Sequence, residues 1–247
     1  MNAKALAEHA EAYGLKLSDV QLQAFALFEK ELYLANTRMN LTRVPQEECW
    51  ARHFLDSLVL NPLIPENAKV LDIGSGAGFP GAVIAIARPD VRVTCLDSSR
   101  KATDFLRGLF GSGGAIPVLH EIVVARAEEA AHESRFREAY DFVTGRAIAP
   151  FPVQIEISAA FVALRGLFVP LRTPRERNTI RDFPSAKLGL RLFELREIEV
   201  KPIEAIRLLP IFEKTERTPD EYPRPWVKMR KHPLRDERKP PSAHGRR

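Results

Sequence analysis

A chain of 247 residues has room for one α/β domain with a modest extension, while two full domains would be cramped. Its 45% hydrophobic content supports an ordinary buried core, and two cysteines, Cys49 and Cys95, exclude a disulfide framework and have no metal-ligand spacing. The formal charge of +5 falls after residue 212, where eleven Lys or Arg face six Asp or Glu, a bias that suits a polyanionic partner or a solubilising tail.

Residues 1–65 read as a helical extension. Leu6, Ala10 and Tyr13 recur at helical spacing. Ser18 with Gln21 three residues on predicts a capping box, and Leu22, Phe25, Ala26, Phe28, Glu29 and Leu32 form a mostly apolar face. Asn36-Thr37-Arg38-Met39-Asn40 breaks that pattern, and a third helix is expected over 46–60, stopped by Asn61-Pro62.

Residues 66–212 alternate between strand and helix. Strands are expected at 69–73, 91–96, 118–124, 140–144 and 166–171, with two more at 191–200 and 205–212. Helices are expected at 80–87, 99–110 and 151–164, with a short one from Arg126 and a polar surface segment over 172–187. This order predicts a Rossmann-like α/β fold, a doubly wound and mostly parallel sheet with an N-terminal helical extension. Residues 213–247 form a basic, Pro-rich tail, expected to lie extended on the domain as far as Leu234 and to be disordered beyond. The start Met1-Asn2-Ala3-Lys4 lacks a signal-peptide core and no apolar run reaches membrane-spanning length, so a cytoplasmic protein without a membrane partner is expected.

The chemistry centres on Val70-Leu71-Asp72-Ile73-Gly74-Ser75-Gly76-Ala77-Gly78-Phe79-Pro80-Gly81. A strand, a glycine-rich turn and a helix start together let backbone approach a ligand and offer it unpaired N–H groups. Gly76-x-Gly78-x-x-Gly81 satisfies a dinucleotide fingerprint. Asp72-x-Gly74-x-Gly76-x-Gly78 instead resembles motif I of S-adenosylmethionine (AdoMet)-dependent methyltransferases. Asp97, ending the second strand, fits a ribose acceptor in both readings.

Ligands in doubly wound sheets bind outside the carboxyl ends of the strands. Those positions are 72–79, Asp97-Ser98-Ser99, Ala127-Glu128 and Thr144-Gly145-Arg146. Ser98 suits either the rim or a helix cap, and Glu128 suits either a ligand or the helix dipole. Arg146, at a buried strand end, needs an anionic or hydrogen-bonding partner. Arg52 and Asp56 lie one helical turn apart, for which a salt-bridged helix is the plainer reading, and His53 reads as a packed or surface histidine.

Asn40-Leu41-Thr42, Arg52-His53-x-x-Asp56-Ser57, the turn from Asp72 to Gly81, Asp97-Ser98-x-x-Lys101 and Arg146-Ala147 occur in this order, followed by Tyr222-Pro223-Arg224 and His232-Pro233-Leu234. Together they resemble the bacterial small-subunit ribosomal RNA methyltransferase G family, also known as glucose-inhibited division protein B, over about residues 15–235. The resemblance implies a class I AdoMet-dependent methyltransferase acting on guanine N7 in a decoding-centre loop of 16S ribosomal RNA, free or in a small-subunit assembly intermediate. It carries cofactor contacts to Gly74, Phe79, Asp97, Ser98, Ser99, Ala127, Glu128 and Arg146, with Asp72, Gly76 and Gly78 as additional positions. The chain departs from the family pattern at Arg172-Thr173, Arg207-Leu208 and Pro225-Trp226-Val227, where Lys-Gly, Arg-His and Arg-Pro-Gly are usual.

RNA docking is expected from Arg172, Arg224, Lys228, Arg230 and Lys231, with Arg175 and Arg177 as further candidates. Guanine N7 needs no general base, and Arg146 is the one candidate for a role at the reacting centre. No metal is expected, and the chain is expected to act as a monomer. The competing readings are a small-molecule methyltransferase, an NAD-dependent dehydrogenase and a non-catalytic ribosomal RNA assembly factor.

Overall fold

The structure, a computed structural model, describes residues 1–235. After α1 (Ala3–Ala10), Ser18 opens the long helix α2 (Asp19–Met39) with the expected capping box. The Ser18 hydroxyl accepts from the Gln21 amide at 3.3 Å, and the Gln21 side chain accepts from the Ser18 amide at 2.9 Å. The helix continues through the sequence expected to break it. Asn36 there holds the following loop, its side chain pairing with both backbone groups of Thr42 at 2.9 and 3.0 Å. Asn40, with φ at 51°, makes the stop.

The expected third helix is broken into a 3₁₀ turn at Gln46–Glu48, a π turn at Trp50–Leu55 and α3 (Asp56–Leu58). An extra residue per turn rotates the side chains that follow, and such turns often mark functional sites. Arg52 pairs back to Glu48 and not to Asp56, which leaves the Asp56 carboxylate to face the sheet.

The alternating region supplies β1 (Lys69–Ile73), α4 (Gly81–Ala87), β2 (Arg92–Asp97), α5 (Arg100–Phe110), β3 (Glu121–Val124), α6 (Ala127–Ala130) and β4 (Tyr140–Thr144). Then follow α7 (Phe151–Ala159), β5 (Val162–Phe168), α8 (Arg177–Arg181), β6 (Leu190–Val200), β7 (Ala205–Lys214) and α9 (Trp226–Lys231). Among the described residues the sheet has seven strands in the order β3-β2-β1-β4-β5-β7-β6. The first five are parallel, and β7 and β6 add an antiparallel hairpin at one edge. The order reverses between β1 and β4, the switch point where such sheets leave a crevice.

Three boundaries differ from expectation. Helix α7 ends at Ala159 and β5 begins at Val162, because Glu138 and Tyr140 take the carbonyls of Ala160 and Phe161 and start the pairing early. A register shift between Tyr140 and Phe142, with Arg165 at φ 67°, hides that strand from a two-residue periodicity. The third strand is shorter than expected, starting at Glu121. The tail is not simply extended, since residues 226–231 form α9 and bury Met229. The disorder expected beyond Leu234 concerns residues that, apart from Arg235, lie outside those described.

Two apolar clusters cover the two faces of the sheet. One joins Phe25, Phe28 and Leu32 of α2 with Phe54, Val83, Leu106 and Phe110, so the N-terminal helices share the core of the sheet. The other gathers Phe151, Ile155, Phe161, Phe168 and Phe212 with Met229 from the tail. No described helix is long and apolar enough to cross a membrane.

Candidate functional site

The turn after β1 is held from below. Asp72, fully buried, accepts from the Gly81 amide through Oδ2 at 2.7 Å and so ties the strand end to the start of α4. Gly74, Gly76 and Gly78 have φ of 65°, 51° and 103°, a region that L side chains rarely adopt. A Cβ on Gly74 would meet Ile148 at 2.8 Å and one on Gly78 would meet Ala82 at 2.8 Å, whereas one on Gly76 would meet nothing within 4 Å, so the turn is packed at two glycines and open at Gly76. Asp97 braces it from β2. Its Oδ2 accepts from the Gly76 amide at 2.8 Å and its Oδ1 from the Ser99 amide at 2.7 Å, which fixes the carboxylate while each oxygen keeps a lone pair for a ligand hydroxyl.

A cavity of about 300 Å³ opens at this point, lined by Gly74, Asp97, Ser98, Ala127 and Glu128 together with Arg126, Ala147, Ile148 and Trp226. Five of the expected cofactor residues therefore share one concave surface. Ser99 stands outside it and caps α5, its hydroxyl accepting from the Ala102 amide, so the cap belongs to Ser99 and not to Ser98. Phe79 and Arg146 also lie outside the lining. Ala147, which does line it, has φ 57°, a strained conformation in the loop after β4.

Phe79 and Arg146 belong to an adjoining cluster. The His53 ring stacks on Phe79 at 4.1 Å, with Arg146 5.4 Å from the same ring. Arg146 reaches the Asp56 carboxylate at 3.0 Å, the Arg52 carbonyl at 3.1 Å and His53 Nδ1 at 3.0 Å. Arg207, from β7, binds the other Asp56 oxygen at 2.5 Å. Because Arg146 can only donate, His53 Nδ1 accepts, and the proton sits on Nε2, which donates to the Thr42 hydroxyl at 2.7 Å. Burial, aided by the Arg146 charge, lowers the His53 pKa to about 3 and keeps the ring neutral.

Thr42, His53 and Asp56 fall in separate sequence motifs, and the fold joins them. The signal was present in the residue types, but the π turn that aims them was not. In the sequence Arg207 and Trp226 stand out only within departures from a family pattern, and Arg126 only as a helix start.

Two of the expected RNA-docking residues are engaged inside the protein. Arg172 is buried, with its guanidinium on Gln154, the Ala149 carbonyl at 2.9 Å and Glu176 at 3.3 Å. Arg224 grips the buried Glu156 carboxylate through Nε at 2.8 Å and a terminal nitrogen at 2.7 Å. Both charges are spent on interior partners, which is the role a buried guanidinium requires. Lys228, Arg230 and Lys231 remain exposed on α9.

The cavity residues suit AdoMet. A glycine turn open at Gly76 and a braced Asp97 carboxylate for ribose hydroxyls, beside a concave surface lined by Gly74, Ala127 and Glu128, together fit a nucleoside. A sequence model of the family described as rRNA small subunit methyltransferase G matches residues 21–196. The chain is 38% identical over 241 residues to a protein named ribosomal RNA small subunit methyltransferase G from Lactobacillus delbrueckii subsp. bulgaricus, covering 95% of this chain and 100% of that one. It is 33% identical over 238 residues to the protein of the same name from Acetivibrio thermocellus, covering 94% and 96%. With the Rossmann-like sheet, the glycine cradle and these matches in agreement, the chain belongs to the rRNA small subunit methyltransferase G family of AdoMet-dependent methyltransferases.

Proposed function

We propose that this protein methylates guanine N7 in a decoding-centre loop of 16S ribosomal RNA, taking the methyl group from AdoMet. The observation that carries the reading is the open glycine turn braced by Asp97 at the switch point between β1 and β4. Bound AdoMet supplies an electrophilic methyl group on a sulfonium. Gly74 and Gly76 would admit it against the backbone, Asp97 would hold its ribose, and Ala127 with Glu128 would border its base.

Guanine N7 presents an exposed lone pair without a proton, so no side chain has to act as a base. His53 accords with this, being neutral with both ring nitrogens already bonded. Catalysis then rests on holding N7 in line with the methyl group, and orientation of that kind supplies roughly 7–11 kcal/mol. We assign Arg146 to positioning, because Asp56 and His53 fix its guanidinium beside Phe79. Arg146→Ala should lower the methylation rate by about tenfold or more. An unchanged rate together with unchanged AdoMet affinity would remove that role.

Residues 1–65 serve in this reading as a support behind the glycine turn, 66–212 as the catalytic sheet, and 213–247 as a basic tail toward RNA. The protein works as a cytoplasmic monomer on 16S ribosomal RNA or a small-subunit assembly intermediate. Tritiated AdoMet incubated with small-subunit RNA and particles from a strain lacking this protein should label one guanine at N7. Label elsewhere, or none on either substrate, would refute the assignment. Thermal shifts with AdoMet and with NADH separate it from a dehydrogenase, and failure to label any RNA while a small acceptor is methylated would favour the small-molecule alternative.

A further inference from the structure

The cofactor cavity has a wall that comes from the far end of the chain. Trp226, the first residue of α9, lines it together with Gly74, Asp97 and Glu128. We propose that Trp226 forms the wall against which the purine of the cofactor packs, making the C-terminal tail a component of the cofactor site. The inference rests on the AdoMet reading above and extends it to a segment that the glycine turn and the strand ends do not include.

The order of the sheet supports it. The glycine turn follows β1, Asp97 ends the neighbouring β2, and residues 125–128 follow β3 on the far side of β2. A nucleoside whose ribose sits at Asp97 and whose charged end lies over the turn directs its base toward the end of β3. Trp226 stands there, its ring 5.3 Å from the Arg126 guanidinium, and Arg126 in turn donates to Glu128 at 2.9 Å. Arg230, one helical turn further on, lies 5.9 Å from the same ring. The indole thus has an orientation set by its neighbours before any ligand arrives, and a flat aromatic face is what a purine stacks on.

The tail that carries Trp226 is anchored on both sides of it. Arg224 holds the fully buried Glu156 through its backbone amide at 3.0 Å as well as its guanidinium. The ring of His132 bonds the Pro223 carbonyl at 3.0 Å, Arg137 donates to the Tyr222 carbonyl at 3.0 Å, and Met229 is fully buried. These contacts belong to a docked element, so the position of the indole is determined by the fold.

The chain has two tryptophans, Trp50 and Trp226, and this permits a direct test. In Trp50→Phe, Trp226 is the only indole, and its emission should change on titration with S-adenosylhomocysteine or adenosine but not with homocysteine. Trp226→Ala should raise the calorimetric Kd for S-adenosylhomocysteine by about tenfold. Trp226→Phe should stay within about threefold of the parent, because a phenyl ring retains a stacking face. Thermal melts of the unliganded variants report folding separately from the Kd. Unchanged Trp226 emission at saturating S-adenosylhomocysteine, or a parental Kd in Trp226→Ala, overturns the proposal. A parent protein that binds neither AdoMet nor S-adenosylhomocysteine would overturn the cofactor reading beneath it.

Discussion

His53 stacks on Phe79 and Asp72 bonds the Gly81 amide, and burial disfavours the charged form of each. The two have opposite consequences for stability. For His53 the folded pKa, about 3, lies below the ordinary 6.5, so its contribution is present above 6.5 and lost as the pH falls toward 3. For Asp72 burial outweighs the Gly81 amide and the Arg146 charge and raises the pKa from 3.8 to about 7, so its contribution is present below 3.8 and lost as the pH rises through 7. Between these limits the two slopes oppose each other. Denaturant melts over about pH 4–7 should show His53→Asn gaining on the parent as the pH falls, and Asp72→Asn gaining as it rises. Each difference should change by roughly 1 kcal/mol per pH unit. Parallel curves for all three proteins would show that neither side chain is held neutral.

Helices α2 and α4 pack through the apolar core and are also tied by one polar side chain. Gln21 completes the capping box of α2, and its amide nitrogen donates to the carbonyls of Ile86 and Ala87, both at 2.9 Å, at the end of α4. The first turn of α4 is the end of the glycine turn, so the extension supports that turn from behind. Ser18→Ala removes one cap and should cost about 1 kcal/mol. Gln21→Ala removes the reciprocal cap and strands two partly buried carbonyls, so it should cost about 2 kcal/mol. Equilibrium unfolding of the two variants checks the order, and equal costs would mean that the link to α4 contributes nothing. The π turn at Trp50–Leu55 is the second element-scale device, since it turns His53 toward Phe79 and Asp56 toward Arg146 and Arg207.

At the scale of the whole molecule the excess positive charge is divided between structure and surface. Arg224 clamps the tail to Glu156 of α7, while Lys228 and Lys231 face outward. If these two lysines neutralise RNA phosphates, Lys228→Ala with Lys231→Ala should reduce the slope of log affinity against log salt by about 1.4, or 0.7 per contact. Filter binding to a small-subunit RNA fragment at several salt concentrations measures this. An unaltered slope would make the exposed face of α9 a solubilising surface.

What the sequence by itself determined is local. Alternating strands and helices, the capping box at Ser18 and the acid-plus-glycine turn from Asp72 to Gly81 are short-range patterns, because backbone geometry limits which residues such positions accept. The acid at the end of β2 was equally legible, since its register follows from the length of one strand–helix–strand unit. Only the tertiary structure decided which distant groups meet. Arg207 and Arg146 converge on Asp56 across 151 and 90 residues, and Trp226 reaches the cavity opened by Gly74. Sequence spacing carries no record of these encounters, because a π turn, a strand reversal and a docked tail set them. The same reason turned Arg172 and Arg224 from presumed RNA contacts into interior clamps: the charge of a side chain is written in the sequence, but whether water, a phosphate or a buried carboxylate receives it depends on what the fold packs beside it.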